Sequence, residues 1–317
     1  MKTLDELYAA IEAGHMEGGW HRKKPSLWPQ PQSACVPAQW RYELVRPLLV
    51  AAGDLVDHEL AERRNLTLSN PAPGNWYATV RTLVGAYQSI RPGEQALSHR
   101  HTPNALRIIL EGRGTYTVVD GTRVEMRPGD VMLTPSWCWH AHEAVGPDEC
   151  FWVDVLDVPL VHLLEPMFFE RHPDRFERVR ENVEHSPIAF RWEESQRRLD
   201  ALTQAPAHGM AQREIELGDP AMKTVAVHVQ RLAAGFVSPT TRTTANALYT
   251  VFDGEGRSRV GEKVFHWRRG DVIAVPAWEP LAHEVLQDAH LIRVSDEPVL
   301  RAFDWLRAAT VGAPVRP

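Results

Sequence analysis

The chain is predicted to be mainly β, with two antiparallel β-barrels (double-stranded β-helices) and flanking helices. Three observations support this prediction. Short segments rich in β-branched and aromatic residues follow one another from Tyr77, and Gly, Pro and Asp turns separate them. Motifs of the first half of the chain recur in the second half. The length of 317 residues is sufficient for two cores of ordinary domain size.

The segment before the barrels, residues 1–72, is predicted to be an N-terminal helical arm. Leu4–Ala13 has helical periodicity, and Gln39–Val56 is predicted to be a helix that Pro47 interrupts. Between them, Gly18–Gln32 is rich in Trp and Pro and is predicted to be extended. This stretch would be buried either against a partner subunit or on its own barrel.

The remaining chain divides into three predicted parts. A first barrel covers 73–185, and its last stretch, from Pro159 to about Asn182, shows helical periodicity with a charged, solvent-facing side. A connector covers 186–220 and contains one amphipathic helix, Trp192–Leu202. A second barrel with a C-terminal helix covers 221–317.

The internal repeat is visible residue by residue. The first copy has the sequence Asn-Ala-Leu followed by Gly-x-Gly, and later Gly-Asp, Pro and Trp at short intervals. The two copies begin at Asn104 and Asn246 and end at Trp137 and Trp278. A duplicated barrel explains this correspondence better than chance.

Three histidines of the first barrel are predicted to hold one metal ion. His99 and His101 are separated by one residue, so both point the same way from an extended strand. His140 follows a Gly-Asp turn, a short apolar strand and Pro135, which suits a strand that returns to the same interior. In the second copy the three positions become Thr241, Thr243 and Leu281. The second barrel is therefore predicted to be metal-free, and the histidines to be chemical rather than structural.

Ligand type alone does not name the metal. Zinc, copper, nickel and iron all accept imidazole. Three histidines leave coordination positions open, either for a water on Zn(II) or for a chelating substrate and dioxygen on Fe(II). Without a protein carboxylate the ion keeps its full double charge, which favours an anionic chelating substrate.

Neighbouring residues support an anionic substrate. Arg107 shares the strand parity of His99 and His101 and is predicted to clamp a carboxylate, or alternatively to pair with Asp154 inside the protein. His142 shares the parity of the third histidine and could act as acid or base, although the metal-free copy keeps its counterpart, His283. Two tryptophans, at positions 137 and 139, could line an aromatic pocket or pack at the rim.

Composition excludes several classes of function. The formal net charge is -6 and no long basic run is present, so no nucleic-acid partner is expected. No apolar run has the length of about 20 residues that spans a bilayer. Acidic residues occupy the place where a signal peptide needs its apolar core, so we expect a cytoplasmic protein. The 3 cysteines form no disulfide framework.

The spacing of the histidines resembles the paired motifs of the cupin superfamily. The interval from Gly93 to His99 matches that of the first cupin motif, and the interval from Pro135 to His140 matches that of the second. Two positions depart from the common pattern. Ala105 stands where many cupins have a Glu ligand, and Trp137 stands where they have a Gly. The missing Glu leaves a site of three histidines, and the resemblance implies two cupin barrels, a bicupin.

Longer motifs resemble one bicupin family. HRHTPNALRIILEGRGTYTVVDG, MRPGDVMLTPSWCWHAH and FWVDVLDVPL look like the gentisate 1,2-dioxygenases and their salicylate and 1-hydroxy-2-naphthoate relatives. AERRNLTLSNP upstream and TTANALYTVFDGEGRSRVG downstream extend the likeness over most of the chain. The resemblance implies Fe(II) as cofactor, a small aromatic hydroxy acid and O2 as substrates, and a homo-oligomer, commonly a tetramer.

The resemblance also implies residue roles. Fe(II) would be held by the three histidines, and substrate contacts would come from Arg63, Gln88, Arg107, His142 and Asp154. Arg64 is an alternative to its neighbour Arg63. His142 and Asp154 would handle protons, while Arg107 would orient the substrate carboxylate.

Some positions depart from the family pattern. Val84 stands where these enzymes have Trp or Tyr, Ala141 replaces an Asp, and Val155 replaces a Gly. Val84 is therefore expected in the substrate pocket, which would be enlarged or reshaped.

The predicted reaction is cleavage of the C1–C2 bond of gentisate or a ring-substituted gentisate, with both atoms of O2 incorporated. The alternative is a salicylate or 5-substituted salicylate 1,2-dioxygenase. A metal-dependent isomerase or hydrolase and a non-catalytic cupin that binds aromatic acids are further rivals.

Overall fold

The computed structural model describes residues 2–21, 26–57, 64–218 and 222–312. It divides into two compact units, Met1–Gln32 and Ser33–Pro317. In the first unit, helix α1 (Leu4–Ala13) has the predicted bounds. The Thr3 side chain caps it by accepting a hydrogen bond from the Glu6 backbone N–H at 3.2 Å.

The second unit begins with strand β1 (Ala38–Trp40) and helix α2 (Tyr42–Leu55). The predicted helix over Gln39–Val56 is thus wrong at its start, where β1 pairs with a strand of the second barrel. Helix α2 also runs through Pro47 without interruption. Its buried side chains, Tyr42, Val45 and Leu49, follow helical spacing.

The first barrel consists, in the described residues, of two six-stranded sheets that face each other. The strands are β2 (Arg64–Thr67), β3 (Val84–Ile90), β4 (Gln95–His101), β5 (Ala105–Glu111), β6 (Thr115–Val119), β7 (Thr122–Met126), β8 (Val131–Thr134), β9 (His140–Ala144), β10 (Cys150–Leu156), β11 (Phe169–Arg171), β12 (Glu181–Val183) and β13 (Ala189–Phe190). One sheet has the order β13-β8-β5-β10-β3-β2 and the other β11-β4-β9-β6-β7-β12.

The predicted helix from Pro159 to Asn182 is wrong for most of its length. Helix α3 (Val158–Leu164) ends at Glu165, which has a left-handed φ of 73°. Pro166 and Pro173 then prevent a continuous helix, because proline lacks the backbone N–H that a helix needs. The segment instead supplies β11 and β12, which pair with the sheet edges at β4 and β7.

The connector contains helix α4 (Trp192–Asp200), which lies within the predicted Trp192–Leu202. The second barrel then forms one sheet that β1 joins and that has nine strands in the described residues. Its other strands are β14 (Arg213–Leu217), β15 (Ala226–Leu232), β16 (Thr241–Thr243), β17 (Ala247–Val260), β18 (Lys263–Arg268), β19 (Val272–Val275), β20 (Leu281–Ser295) and β21 (Ala308–Thr310). Helix α5 (Glu297–Ala302) separates the last two strands.

Several strands fall outside the barrel ranges predicted from sequence. β1 and β2 belong to the stretch 1–72, and β13 and β14 belong to the stretch 186–220. The boundaries at residues 72, 185 and 220 remain a prediction.

The two barrels share a core and a reciprocal polar contact. One cluster of buried residues includes Leu106 of the first barrel and Leu248 of the second. The Asn104 backbone N–H donates to Asp157 at 2.8 Å, and the Thr224 hydroxyl from the second half donates to the same carboxylate. The second barrel repeats this arrangement with Asn246, Asp296 and Thr82.

Candidate metal centre

Three histidines meet inside the first barrel. His99 and His101 lie on one face of β4, and His99 pairs directly with His140 on the neighbouring strand β9. One ligand atom from each imidazole lies within 4.8 Å of the others. In the described part of the chain, no other group of three such side chains converges in this way. The sequence-predicted triad is therefore assembled by the fold.

Hydrogen bonds set the tautomer of each imidazole. The Nδ1 atoms lie 3.1 Å from Leu97 O, 2.8 Å from Pro103 O and 3.1 Å from Cys138 O, respectively. A carbonyl oxygen only accepts, so each Nδ1 carries the proton and each Nε2 presents a lone pair. A backbone carbonyl on the second ring nitrogen is the usual support for a metal-binding histidine. Three neutral imidazoles in this form fit a divalent transition metal.

The second barrel has the same backbone register without the ligands. Thr241 pairs with Leu281 there, as His99 pairs with His140 in the first barrel. The fold thus tolerates Thr and Leu at positions where the first barrel has imidazoles. The histidines are not required by the barrel itself.

A cavity of about 470 Å³ opens beside the triad. Three predicted substrate contacts line it: Gln88 on β3, Arg107 on β5 and Asp154 on β10. Val84 also lines it, as predicted from the departure at that position. The wall contains further side chains that the sequence did not single out, namely Asn65, Thr67, Tyr77 and Phe169.

Arg107 is 1% exposed and forms the polar floor of this cavity. It donates to the Thr134 hydroxyl at 2.6 Å, and its Nε lies 3.5 Å from an Asp154 carboxylate oxygen. Burial lowers the pKa of Arg107, and the Asp154 charge opposes that shift. The alternative pairing with Asp154 is therefore present, yet the guanidinium also faces the cavity.

Asp154 connects the remaining polar groups of the floor. It accepts hydrogen bonds from the Gln88 amide at 2.6 Å and from the Trp152 indole N–H at 2.9 Å. These two donors fix the orientation of the carboxylate. Thr134 and Asp154 thus hold Arg107 from two sides.

Comparison with known proteins agrees with this site. Residues 86–156 match the protein family described as Cupin domain. A gentisate 1,2-dioxygenase from Streptomyces sp. is 37% identical to this chain, with 97% of this chain and 96% of that protein covered. The chain belongs to the gentisate 1,2-dioxygenase family. It is a ring-cleaving dioxygenase built on two cupin barrels.

Other members of the family have related names. A 5-aminosalicylate 1,2-dioxygenase from Comamonas sp. is 32% identical over 98% of this chain and 91% of that protein. The crystal structure of a salicylate 1,2-dioxygenase from Pseudoaminobacter salicylatoxidans, in an adduct with gentisate, matches with a TM-score of 0.88 and 29% identity. That match covers 99% of this chain and 96% of the solved one.

His142 occupies a different place from the other predicted site residues. It follows His140 on β9, is 1% exposed and pairs with Ala96 and Thr117 on the two neighbouring strands. Its ring lies 5.5 Å from the Trp152 ring, measured between centroids. Within the described residues it is not among those that line the cavity. Its role in a gentisate dioxygenase of this kind remains a prediction.

Arg63 and Arg64 are the two alternative positions predicted for one substrate-binding arginine. Arg63 lies outside the described residues. Arg64, its alternative, forms an ion pair with Glu94 at 2.6 Å and donates to the carbonyls of Ala52 and Val56. Arg64 is therefore held away from the dioxygenase cavity, towards which Asn65 on the same strand is directed.

The two tryptophans of the PSWCW motif form the rim. The Arg100 guanidinium carbon lies 4.5 Å from the ring centroid of Trp137 and 4.5 Å from that of Trp139. Trp137 has a left-handed φ of 68°, which explains why other cupins have Gly there. In the second barrel Trp278 has a φ of 66° and stacks with Arg242 in the same way. Rim packing therefore recurs in a barrel without the histidines.

The residues that sequence reasoning missed come from distant segments. Phe169 on β11 has its ring 5.3 Å from the His99 ring, between centroids. Tyr77 hydrogen-bonds His162 near the same opening. Phe169 was missed because the stretch 159–182 was predicted to be a helix, although the two prolines in its interior argue against a continuous helix.

No helix in the described residues is long and apolar enough to cross a membrane.

Proposed function

We propose that this protein is an Fe(II)-dependent dioxygenase that opens the C1–C2 bond of gentisate or of a ring-substituted gentisate. The observation that carries the proposal is one cavity that combines the histidine triad with a buried, oriented Arg107. The names of the relatives described above support the same substrate class.

His99, His101 and His140 would hold the ion. When bound there, Fe(II) supplies a Lewis acid and a path for electrons between the aromatic substrate and dioxygen. The three neutral ligands leave the double positive charge of the ion uncompensated by protein, so an anionic substrate is favoured. A carboxylate next to a hydroxyl group on the ring meets this requirement.

Arg107 would orient the substrate by pairing with its carboxylate. The guanidinium offers two parallel donors, which match the two oxygens of a carboxylate. Thr134 and Asp154 hold that guanidinium in place, and Gln88 in turn holds Asp154, so little reorganisation is needed when substrate enters. The buried position of the pair excludes water and strengthens the interaction.

Protons would be handled at Asp154 and, as predicted from the resemblance, at His142. Asp154 faces the cavity and can accept a proton from a substrate hydroxyl. His142, two residues after His140 on β9, would act as an acid or base or would only position the substrate. We include assembly as a homotetramer and a cytoplasmic location in this proposal.

A salicylate or 5-substituted salicylate is the second candidate substrate. Val84, in place of a Trp or Tyr, lines the cavity and leaves room for a ring substituent. Relatives named for 5-aminosalicylate and salicylate support this alternative.

The test is anaerobic reconstitution with Fe(II), followed by oxygen-uptake measurements with gentisate, salicylate and their 5-substituted forms. We expect uptake of one O2 per ring opened, dependent on added iron. Turnover without oxygen would identify a metal-dependent isomerase or hydrolase instead. Binding of the acids without turnover of any of them would identify a binding protein.

A further inference from the structure

Arg100 lies between two histidines of the triad in sequence but on the opposite face of their strand. Side chains alternate along β4, so His99 and His101 point into the barrel and Arg100 points to its rim. At the rim, the guanidinium carbon lies 4.5 Å from the ring centroid of Trp137 and 4.5 Å from that of Trp139. The face of an indole ring attracts a cation, and here two rings contact one cation.

Glu170 on the edge strand β11 completes this rim cluster, which we define as Arg100, Trp137, Trp139 and Glu170. Glu170 pairs directly with Arg100 across the strands. The arginine Nε and Nη2 donate to one oxygen of its carboxylate at 2.9 and 2.6 Å. A guanidinium can make both kinds of contact at once, because its flat faces stack on rings while its edge donates hydrogen bonds. Arg100 therefore connects three segments of the barrel: β4, β11 and the loop 136–139.

The backbone ladder between the two strands that carry the triad is irregular. Ala96 pairs with His142 and His99 pairs with His140, so β4 has one residue more than β9 between these positions. A bulge of this kind interrupts the ladder and lets the strand bend. Backbone pairing therefore holds the histidines of β4 less firmly against the histidine of β9 than a regular ladder would.

The loop 136–139 makes contacts with both parts of the triad. The Trp137 backbone N–H donates to the His101 carbonyl at 2.9 Å. The Cys138 carbonyl oxygen lies 3.1 Å from Nδ1 of His140 and orients that ring. A side chain that fastens this loop to β4 therefore acts on the histidines of both strands.

The second barrel shows which contacts of the rim cluster belong to the barrel itself. The Arg242 guanidinium carbon lies 4.8 Å from the ring centroid of Trp278, so one Arg–Trp contact is common to both halves. Pro280 stands where the first barrel has its second tryptophan. Ala309 pairs with Arg242 across the strands, at the position where the first barrel has Glu170. In this chain the second tryptophan and the glutamate thus occur only in the barrel with the three histidines.

We propose that Arg100 is a positioning residue of the metal centre. Through the two indole rings and Glu170 it holds β4 and the loop 136–139 together, and it thereby keeps the three histidines at the spacing that one ion requires. This inference rests on the metal centre of the proposed function. It assigns the rim a role in metal affinity.

The test is anaerobic titration of the metal-free, full-length protein with Co(II), whose visible absorption bands report both binding and coordination geometry. We expect Arg100→Met, which keeps an apolar stem and removes the planar cation, to weaken Co(II) binding by about tenfold or more and to alter the bands. Arg100→Lys should recover only part of this affinity, because an ammonium group has no flat faces. Arg242→Met is the matched control, since it removes the stacked arginine of the second barrel, and it should bind Co(II) as the native protein does.

A second position keeps the inference testable if Arg100→Met does not fold. Trp139→Leu removes the ring that only the first barrel has and should weaken Co(II) binding by about tenfold. Trp139→Phe keeps an aromatic face and should bind nearly as the native protein does. Thermal unfolding of the metal-free variants separates a loss of affinity from a loss of folding.

Native-like Co(II) binding and unaltered bands in both Arg100→Met and Trp139→Leu would overturn the inference. An equal loss of Co(II) affinity in Arg242→Met would overturn it as well, because the effect would then be a general weakening of the fold. Absence of Co(II) binding by the native protein would be a different failure, since it would refute the metal centre and the inference together.

Discussion

At the scale of single residues, the side chains of the metal centre divide into the histidine triad and the groups that we propose orient the substrate. The ligands have carbonyl partners that fix their tautomers, so each imidazole is prepared for a metal before one arrives. Arg107 is prepared in the same sense by Thr134 and Asp154. Both groups can be tested by substitution of one side chain.

The triad is expected to account for all bound metal. His140→Ala should remove iron and oxygen uptake together, because two imidazoles hold the ion too weakly. Thr241→Ala and Thr243→Ala, at the equivalent positions of the second barrel, are the controls and should leave both nearly unchanged. Metal analysis of the purified protein should give one iron per chain, and two per chain would contradict the assignment.

Arg107→Ala is expected to lower kcat/KM by about 100-fold or more, because loss of one partner of a buried ion pair costs about 3–5 kcal/mol. Arg107→Lys should recover only part of this, since an ammonium cannot form two parallel bonds to a carboxylate. Arg113→Ala at an exposed position is the control. Thermal melting of each variant separates lost activity from lost folding. An active Arg107→Ala enzyme would exclude the clamp.

The sequence predicted the triad and the floor of the cavity because strand parity relates nearby positions. His99, His101 and Arg107 lie within a few residues of each other on two consecutive strands. Asn65 and Phe169 come from far along the chain, and parity says nothing about such neighbours. Their positions in the cavity wall could be identified only from the three-dimensional structure.

At the scale of elements, strand β3 presents one face to the cavity. Val84, Ala86 and Gln88 alternate along it and line the site. The repeated motifs and the glycine and proline turns allowed these strands to be predicted. The edge strands β11 and β12 were mistaken for a helix, because their charged residues follow no strand alternation and their pairing partners are distant in sequence.

The side chain at position 84 is expected to determine substrate preference. Val84→Trp should shrink the cavity and shift the kcat/KM ratio of gentisate to its 3- or 5-substituted analogues by about 10-fold or more, the usual scale for an apolar pocket wall. Val155 on β10 is not a suitable control position, because its side chain is fully buried and a Trp there would disturb the core. Val264→Trp on an exposed part of β18 serves instead. An unchanged ranking in Val84→Trp would remove position 84 from specificity.

At the scale of the whole molecule, the duplication explains both similarity and difference. Positions that maintain the barrel, such as the Gly-Asp turns and the stacked Arg–Trp pairs, recur in both halves. The three metal-ligand positions do not recur, although His142 has a counterpart in His283. The comparison of Thr241 and Leu281 with His99 and His140 could be made from sequence alone, whereas the reciprocal contact of the halves could not, because Thr82 and Thr224 lie outside every motif.

The N-terminal segment is expected to contribute to assembly. Gly18–Gln32 contains two tryptophans and several prolines, a composition typical of an extended segment that is covered by another surface. Deletion of residues 1–32 should therefore lower the mass that light scattering measures. An unchanged mass would mean that this segment has no part in the subunit interface.

The reciprocal threonines are expected to hold the two barrels together. Thr82 and Thr224 each donate a hydroxyl to a buried carboxylate of the opposite half, Asp296 and Asp157 respectively. Burial raises the pKa of both carboxyl groups, and these threonine hydrogen bonds oppose that shift. A valine at either position keeps the shape and leaves the carboxylate with one donor fewer. Each substitution should lower the free energy of unfolding by about 1–3 kcal/mol.

The measurement is denaturant unfolding of Thr82→Val, Thr224→Val and the double variant. Thr122→Val is the matched control, because Thr122 also donates to a carboxylate, at 2.8 Å, but on the exposed surface of a single barrel. Its effect should stay within about 0.5 kcal/mol. Since the two contacts lie in one interface between the same rigid barrels, loss of one should weaken the other, and the double variant should differ from the sum of the single ones. Strict additivity would mean that the halves are coupled through their shared apolar core rather than through these hydrogen bonds.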